Sequence, residues 1–133
     1  MSATAIARHL LVNNVALTAL IPAARIFTGA VPVGTEMPAI AVGGVSGMPR
    51  NIVAMNATKS LVTARVQVTI YAKTYALQKQ YLALVLAALP NTHGTVNTFD
   101  CDSILPDTEG PDIYDDVLIV YEQSQDFMIK YNR

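Results

Sequence analysis

Residues 61–72, LVTARVQVTIYA, decide how the rest of the chain is read. Val62, Ala64, Val66, Val68 and Ile70 fall on one side of an extended chain, and Thr63, Arg65, Gln67, Thr69 and Tyr71 on the other. That alternation is the mark of a β-strand with one buried face and one wetter face. The apolar run AIAVGGVS, residues 39–46, reads as its hairpin partner, with glycines that point to a bulge or a close backbone approach. Between the two lies GMPRNIVAMNATKS, residues 47–60. A tight hairpin needs a connection of about two to five residues, and solvated turns do not need four large apolar side chains. The connector therefore reads as an arm that carries the hairpin beyond the sheet. Met48, Ile52, Val53 and Met55 would be its contact residues for another chain, rimmed by Arg50 and Lys59. The plainer alternative is that Ile52, Val53 and Met55 fold back onto their own domain.

Outward from the hairpin, residues 74–89 (TYALQKQYLALVLAAL) have helical spacing. Leu77, Tyr81, Leu84, Val85, Ala88 and Leu89 form the apolar stripe, and Pro90 ends it. Residues 3–12 read as a first helix, with Ile6 and Leu10 on one side and Ser2 or Thr4 as cap. Asn14 can cap a short second segment ending before Pro22. Residues 25–27 read as a brief extended piece and residues 28–38, with Gly29, Pro32, Gly34 and Pro38, as a surface loop. Further strands are expected at 95–105 and 116–131, with a loop from Pro106 to Pro111. Helix, strand pair, helix, strand pair implies one α+β domain spanning residues 1–133. Its sheet would be mostly antiparallel, with four strands or slightly more, two helices on one face and an extended β-hairpin arm.

The composition is that of a folded protein with a sparsely charged surface: 52% of residues are apolar and 14% charged, which raises the expectation of assembly. The net charge of −1 hides a polarity. Residues 1–99 carry seven Lys/Arg against Glu36, a balance of +6. Residues 100–133 carry two Lys/Arg against nine acids, a balance of −7. Asp100, Asp102, Asp107, Glu109, Asp112, Asp115 and Asp116 form the one charged cluster and offer an acidic surface complementary to the arm. A single cysteine, Cys101, excludes an internal disulfide and a Cys-based zinc cluster; it reads as a small half-buried residue in a reducing compartment. Asn13 and Asn14 interrupt the apolar N-terminal run, against a signal peptide, and no window has the length of a membrane span.

Little in the sequence points to catalysis. His9 and His93 lack metal-ligand spacing, and the glycines at 43–47 are not followed by the Lys-Ser/Thr of a phosphate loop. Counted from Asp100, the sixth and twelfth positions of a Ca²⁺ loop fall on Leu105 and Pro111, where glycine and glutamate are required. Basic residues are spread out and Trp is absent, against direct nucleic-acid binding. No catalytic, cofactor or metal residues are therefore assigned.

Several segments in order resemble the tail-completion, or tail-terminator, family of long-tailed bacteriophages. They are ALTALIP, then RIFTGAVPVGTEMPAIAVGGVSGMPR, then ARVQVTIYAKTYALQKQYLALVLAAL, and finally SQDFMIKY. The resemblance implies a non-enzymatic structural virion protein without cofactor, assembled in the bacterial cytoplasm and placed at the head–tail neck. Such a protein forms a ring, usually a hexamer, on the head-proximal end of the tail tube. The ring stops tube polymerisation and offers a docking surface to the head–tail connector or stopper, with DNA passing through as cargo and no membrane involved. Another neck component, such as a stopper or adaptor, and a small ligand-binding α+β domain are the alternatives. Residues 91–116 depart most from the family pattern.

Overall fold

The computed structural model describes residues 2–32, 34–50, 61–117 and 119–132. Two α-helices open the chain, α1 (Ser2–Val12) and the single turn α2 (Val15–Thr18), and a 3₁₀ turn follows at Ala23–Arg25. Strands β1 (Ile26–Thr28), β2 (Ala39–Arg50) and β3 (Leu61–Ala72) come next, then α3 (Tyr75–Ala88). Strands β4 (Gly94–Val96), β5 (Phe99–Glu109), β6 (Ile113–Asp115) and β7 (Val120–Asn132) complete the fold.

The expected four-stranded sheet with two helices is replaced by one curled sheet of seven strands with three short helices. The sheet order is β1-β2-β3-β7-β5-β4, with β6 pairing the start of β7. β1 lies parallel to β2, and every other pairing is antiparallel. The expectation missed strands for identifiable reasons. The span 95–105 splits into β4 and β5 because Asn97 and Thr98 both adopt positive φ (45° and 69°), the conformation of a two-residue hairpin turn. The loop expected from Pro106 to Pro111 is strand as far as Glu109, its register slipping between Pro106 and Glu109. Proline, which lacks a ladder donor, is accommodated on this outer strand and next to a bulge.

The first four residues of the expected hairpin arm are strand. β2 continues four residues past Ser46 to Arg50, opposite Leu61, and Leu61 in turn pairs with Asn132 of β7. Gly47 to Arg50 are thus rungs of the sheet and not a projection from it. The rest of the connector, residues 51–60, lies outside the described residues.

The core lies between the helices and one sheet face. On β3, Val62, Ala64, Val66, Val68 and Ile70 are buried, and their partners Gln123, Gln125, Phe127, Ile129 and Tyr131 on β7 share that face. Full burial of Phe127 stabilises the fold by about 2–3 kcal/mol. α1 contributes Ala3, Ile6, Ala7 and Leu11, and α3 contributes Tyr81, Leu82, Val85 and Ala88. The buried stripe of α3 runs through Gln78 and Leu82, while Leu77 and Leu84 are its half-buried flanks. Thr74 caps α3, its hydroxyl accepting from Leu77 N at 3.2 Å, and Asn14 caps α2, its carbonyl accepting from Leu17 N at 3.0 Å.

Candidate assembly interface

The opposite sheet face is not covered by the helices. It carries Leu61, Thr63, Arg65, Gln67, Thr69 and Tyr71 on β3, with Glu122, Ser124, Asp126, Met128, Lys130 and Asn132 opposite them on β7. On β2 the same face shows Ser46 and Met48, because a bulge between Gly44 and Ser46 resets the alternation. At the Arg50/Leu61 end, Ser46, Met48, Leu61, Thr63, Met128 and Lys130 line a recess of about 420 Å³. Met48 is 61% exposed, and Leu105 of β5, opposite Met128, is half-exposed. These side chains make an apolar floor with one cation at its rim.

At the other end of β7, the turn between β6 and β7 projects a second apolar feature. Val117 is 85% exposed and Ile119 67%. Asp115 shapes this tip, its carboxylate accepting from Val117 N at 3.0 Å, and Ile119 adopts a positive φ of 55°. The tip follows Asp115 and Asp116 in sequence, so acids flank the exposed apolar pair.

Polar contacts hold the chain between β5 and β6 against the body. Lys79 Nζ donates to Asp112 at 2.7 Å and to Gln123 Oε1 at 2.9 Å, and the Tyr75 hydroxyl donates to Asp112 at 3.0 Å. Gln123 Nε2 donates to the Gly110 carbonyl at 2.9 Å, and Gly110 N donates to the Ser124 carbonyl at 2.7 Å. The hydrogen bond between Lys79 and Asp112 holds the ammonium above its ordinary pKa and the carboxyl below its own. Burial pushes the Glu122 carboxyl up, and the nearby Asp115 adds to the shift. Tyr71, opposite Glu122, is raised by burial and then by that glutamate.

The residues predicted for the interface are placed as follows. Met48 lies on the recess; Arg50 is the last rung of β2; Ile52, Val53, Met55 and Lys59 lie outside the described residues. The acids make separate contacts within the chain. Asp100 accepts from Asn132 Nδ2 at 3.1 Å, and Asp102 stands 3.6 Å from His93 Nδ1. Asp107 is ion-paired to Arg65, which also lies 3.8 Å from Asp126 and so ties β3, β7 and β5 together. Glu109 ends β5, Asp112 is held by Lys79, Asp115 belongs to β6 and Asp116 to the tip. Among the described residues, no group of three or more His, Cys, Asp or Glu is placed to hold a metal ion. Cys101 is fully buried, and burial followed by Asp102 raises its thiol pKa. No described helix is long and apolar enough to cross a membrane.

Sequence reading missed the tip and the recess. The sequence pattern assigns the tip to a strand from residue 116, and the recess exists only once the bulge has turned Met48 to the same face as Met128. Open strand edges are a weaker contact candidate. β2 beyond Val42 and β5 beyond Cys101 have no outer strand partner among the described residues. Each run contains a bulge and a proline, Pro49 or Pro106, and Asn91 Oδ1 takes the Ile104 amide at 3.1 Å. These are the devices that discourage edge-to-edge pairing.

A curled, mostly antiparallel sheet with helices on one face and an open opposite face defines a structural class. In fold it is similar to a chain of the solved virion of a native gene transfer agent particle. The match has a TM-score of 0.70 and 14% sequence identity, covering 98% of this chain and 94% of that one. No curated protein sequence matches the chain. Residues 4–111 match the family described as Tail completion protein gp17, and the chain belongs to that family. It is a structural protein of the tail of a phage-like virion. The match stops before β6, so the tip and β7 lie beyond it.

Proposed function

We propose that the protein closes as a ring on the head-proximal end of the tail tube, ends tube polymerisation and presents a docking surface to the head–tail connector, without catalysing a reaction. The carrying observation is the pair of dissimilar apolar features on a chain of this family: a recess at one end of the open face and a projecting tip at the other. Identical copies bearing unlike surfaces meet head to tail, and such contacts close into a ring when the rotation permits. A terminator must also match the tube on one side without recruiting more tube protein on the other, which requires two different faces.

Light scattering of the protein alone and with purified tube protein tests this reading. The expected result is a closed oligomer bound to tube ends, and tails of uncontrolled length in particles lacking the protein. A chain that stays monomeric under both conditions and never binds tube ends refutes it. Tails of normal length that fail to join heads would assign the chain to the neck as an adaptor instead. Within the ring reading, Arg50→Glu with Lys59→Glu weakens assembly chiefly at low salt, because exposed charges are screened. Ile52→Asp with Val53→Asp weakens it at any salt.

A further inference from the structure

We infer that the β6–β7 tip of one copy, led by Val117 and Ile119, docks in the recess formed by Met48, Leu61, Met128 and Lys130 on the open sheet face of a second copy. The inference rests on the ring reading and names the contact that builds the ring. Three observations carry it.

First, the two features are complementary in shape and polarity. The tip is convex and apolar, and the recess is concave with methionine and leucine on its floor. A methionine-lined surface adapts to an aliphatic ligand because the thioether chain has several accessible rotamers.

Second, their charges are opposite. Exposed Asp116 adjoins the tip, and exposed Lys130 stands at the recess. That is a charged rim around an apolar centre.

Third, the tip of a copy cannot reach its own recess. The tip ends at Val120 and the recess begins at Met128, eight residues along an extended strand, or about 26 Å. The tip of each copy is therefore available to a neighbour while its own recess receives another. The blunted strand edges leave this end-to-face contact as the better way for copies to meet.

Cross-linking in purified particles tests the contact. Val117→Cys and Met48→Cys are introduced together and treated with a short bis-maleimide, with each single variant as control; the native Cys101 is buried and common to all three. The expected result is a ladder of covalent oligomers from the double variant and none from the single variants. A second pair, Ile119→Cys with Thr63→Cys, reads the same contact if the first impairs folding. Particles that contain the variants, keep normal tail length and yield no ladder from either pair overturn the contact while leaving the terminator reading standing. Cross-links to the tube protein, or a product that stops at a dimer, also overturn it. Wild-type protein absent from tail ends, scored without cross-linker, refutes the terminator reading itself.

Discussion

Gln78 sits in the apolar stripe of α3 with its side chain fully buried, and neither Nε2 nor Oε1 has a hydrogen-bond partner among the described residues. An amide removed from water without replacement bonds carries an uncompensated desolvation cost of about 1–3 kcal/mol. Leucine at this position keeps a similar length of chain, is a better helix former, and has no polar atoms to satisfy. Gln78→Leu should therefore stabilise the fold by about 1–2 kcal/mol, at the lower part of that range because leucine branches differently in a packed site. For a chain of this size the gain corresponds to a rise in Tm of roughly 3–8 °C. Thermal unfolding followed by circular dichroism, with urea melts at 25 °C as a second measure, reads the change. A loss of 1 kcal/mol or more would refute the reasoning, since it would mean that the amide has partners in solution that stabilise the fold. Gln78→Asn separates the causes: it keeps the polar group, leaves a void, and should destabilise.

Gly110 packs so closely on β7 that a Cβ there would collide with the Ser124 hydroxyl and lie 3.2 Å from its carbonyl oxygen. Gly110→Ala should cost about 1–3 kcal/mol in urea unfolding, and adding Ser124→Ala should recover part of it. Glu122 binds protons more tightly folded than unfolded, so its ionisation opposes folding: stability falls as pH rises from the unfolded value near 4.5 through the raised folded value. Glu122→Gln should flatten the Tm profile in that window, and an unchanged slope would show that the carboxyl is solvated. Asp112 has the opposite sign, its stabilisation being present above pH 3.8 and lost as pH falls through the lowered folded value. Asp112→Asn should remove the acid-side loss attributable to the Lys79 contact. Arg65→Ala breaks a half-exposed pair and should cost no more than about 1 kcal/mol, a loss reduced further by salt.

The sequence declared those parts of the fold in which one residue pattern has one physical reading. The alternation in β3 and the cap at Asn14 are local, and the structure has them where the sequence predicts them. The apolar stripe of α3 was less legible. A glutamine at position 78 counts as polar in any pattern, yet the helix turns it inward and leaves Leu77 half-buried. The second half of the sheet was the least legible, because β5 contains a proline and two register slips, and β6 is three residues long. Such strands are held by what they pair with. Arg65 fixes Asp107 from two strands away, and Gln123 and Lys79 fix the 110–112 segment from β7 and α3. None of these partners is near in sequence.

The same distinction bears on the candidate interface. Consecutive apolar residues, such as those of the 47–60 connector, show in sequence as misplaced hydrophobicity. A recess assembled from β2, β3 and β7 does not, because Met48, Leu61 and Met128 each look like ordinary strand residues. What makes them a surface is the bulge between Gly44 and Ser46, which turns Met48 toward the open face. With the same residues in regular pairing, Met48 would oppose Val62 and point to the helix-covered side, and the recess would lose one wall. The bulge also interrupts the outer edge of β2, so a single irregularity both discourages edge pairing and builds the pocket that offers an alternative. An apolar surface kept on an uncovered sheet is a solubility liability for a lone chain. In the ring proposed above a neighbouring copy would cover it, and the charged residues beside it would set which end of that neighbour fits.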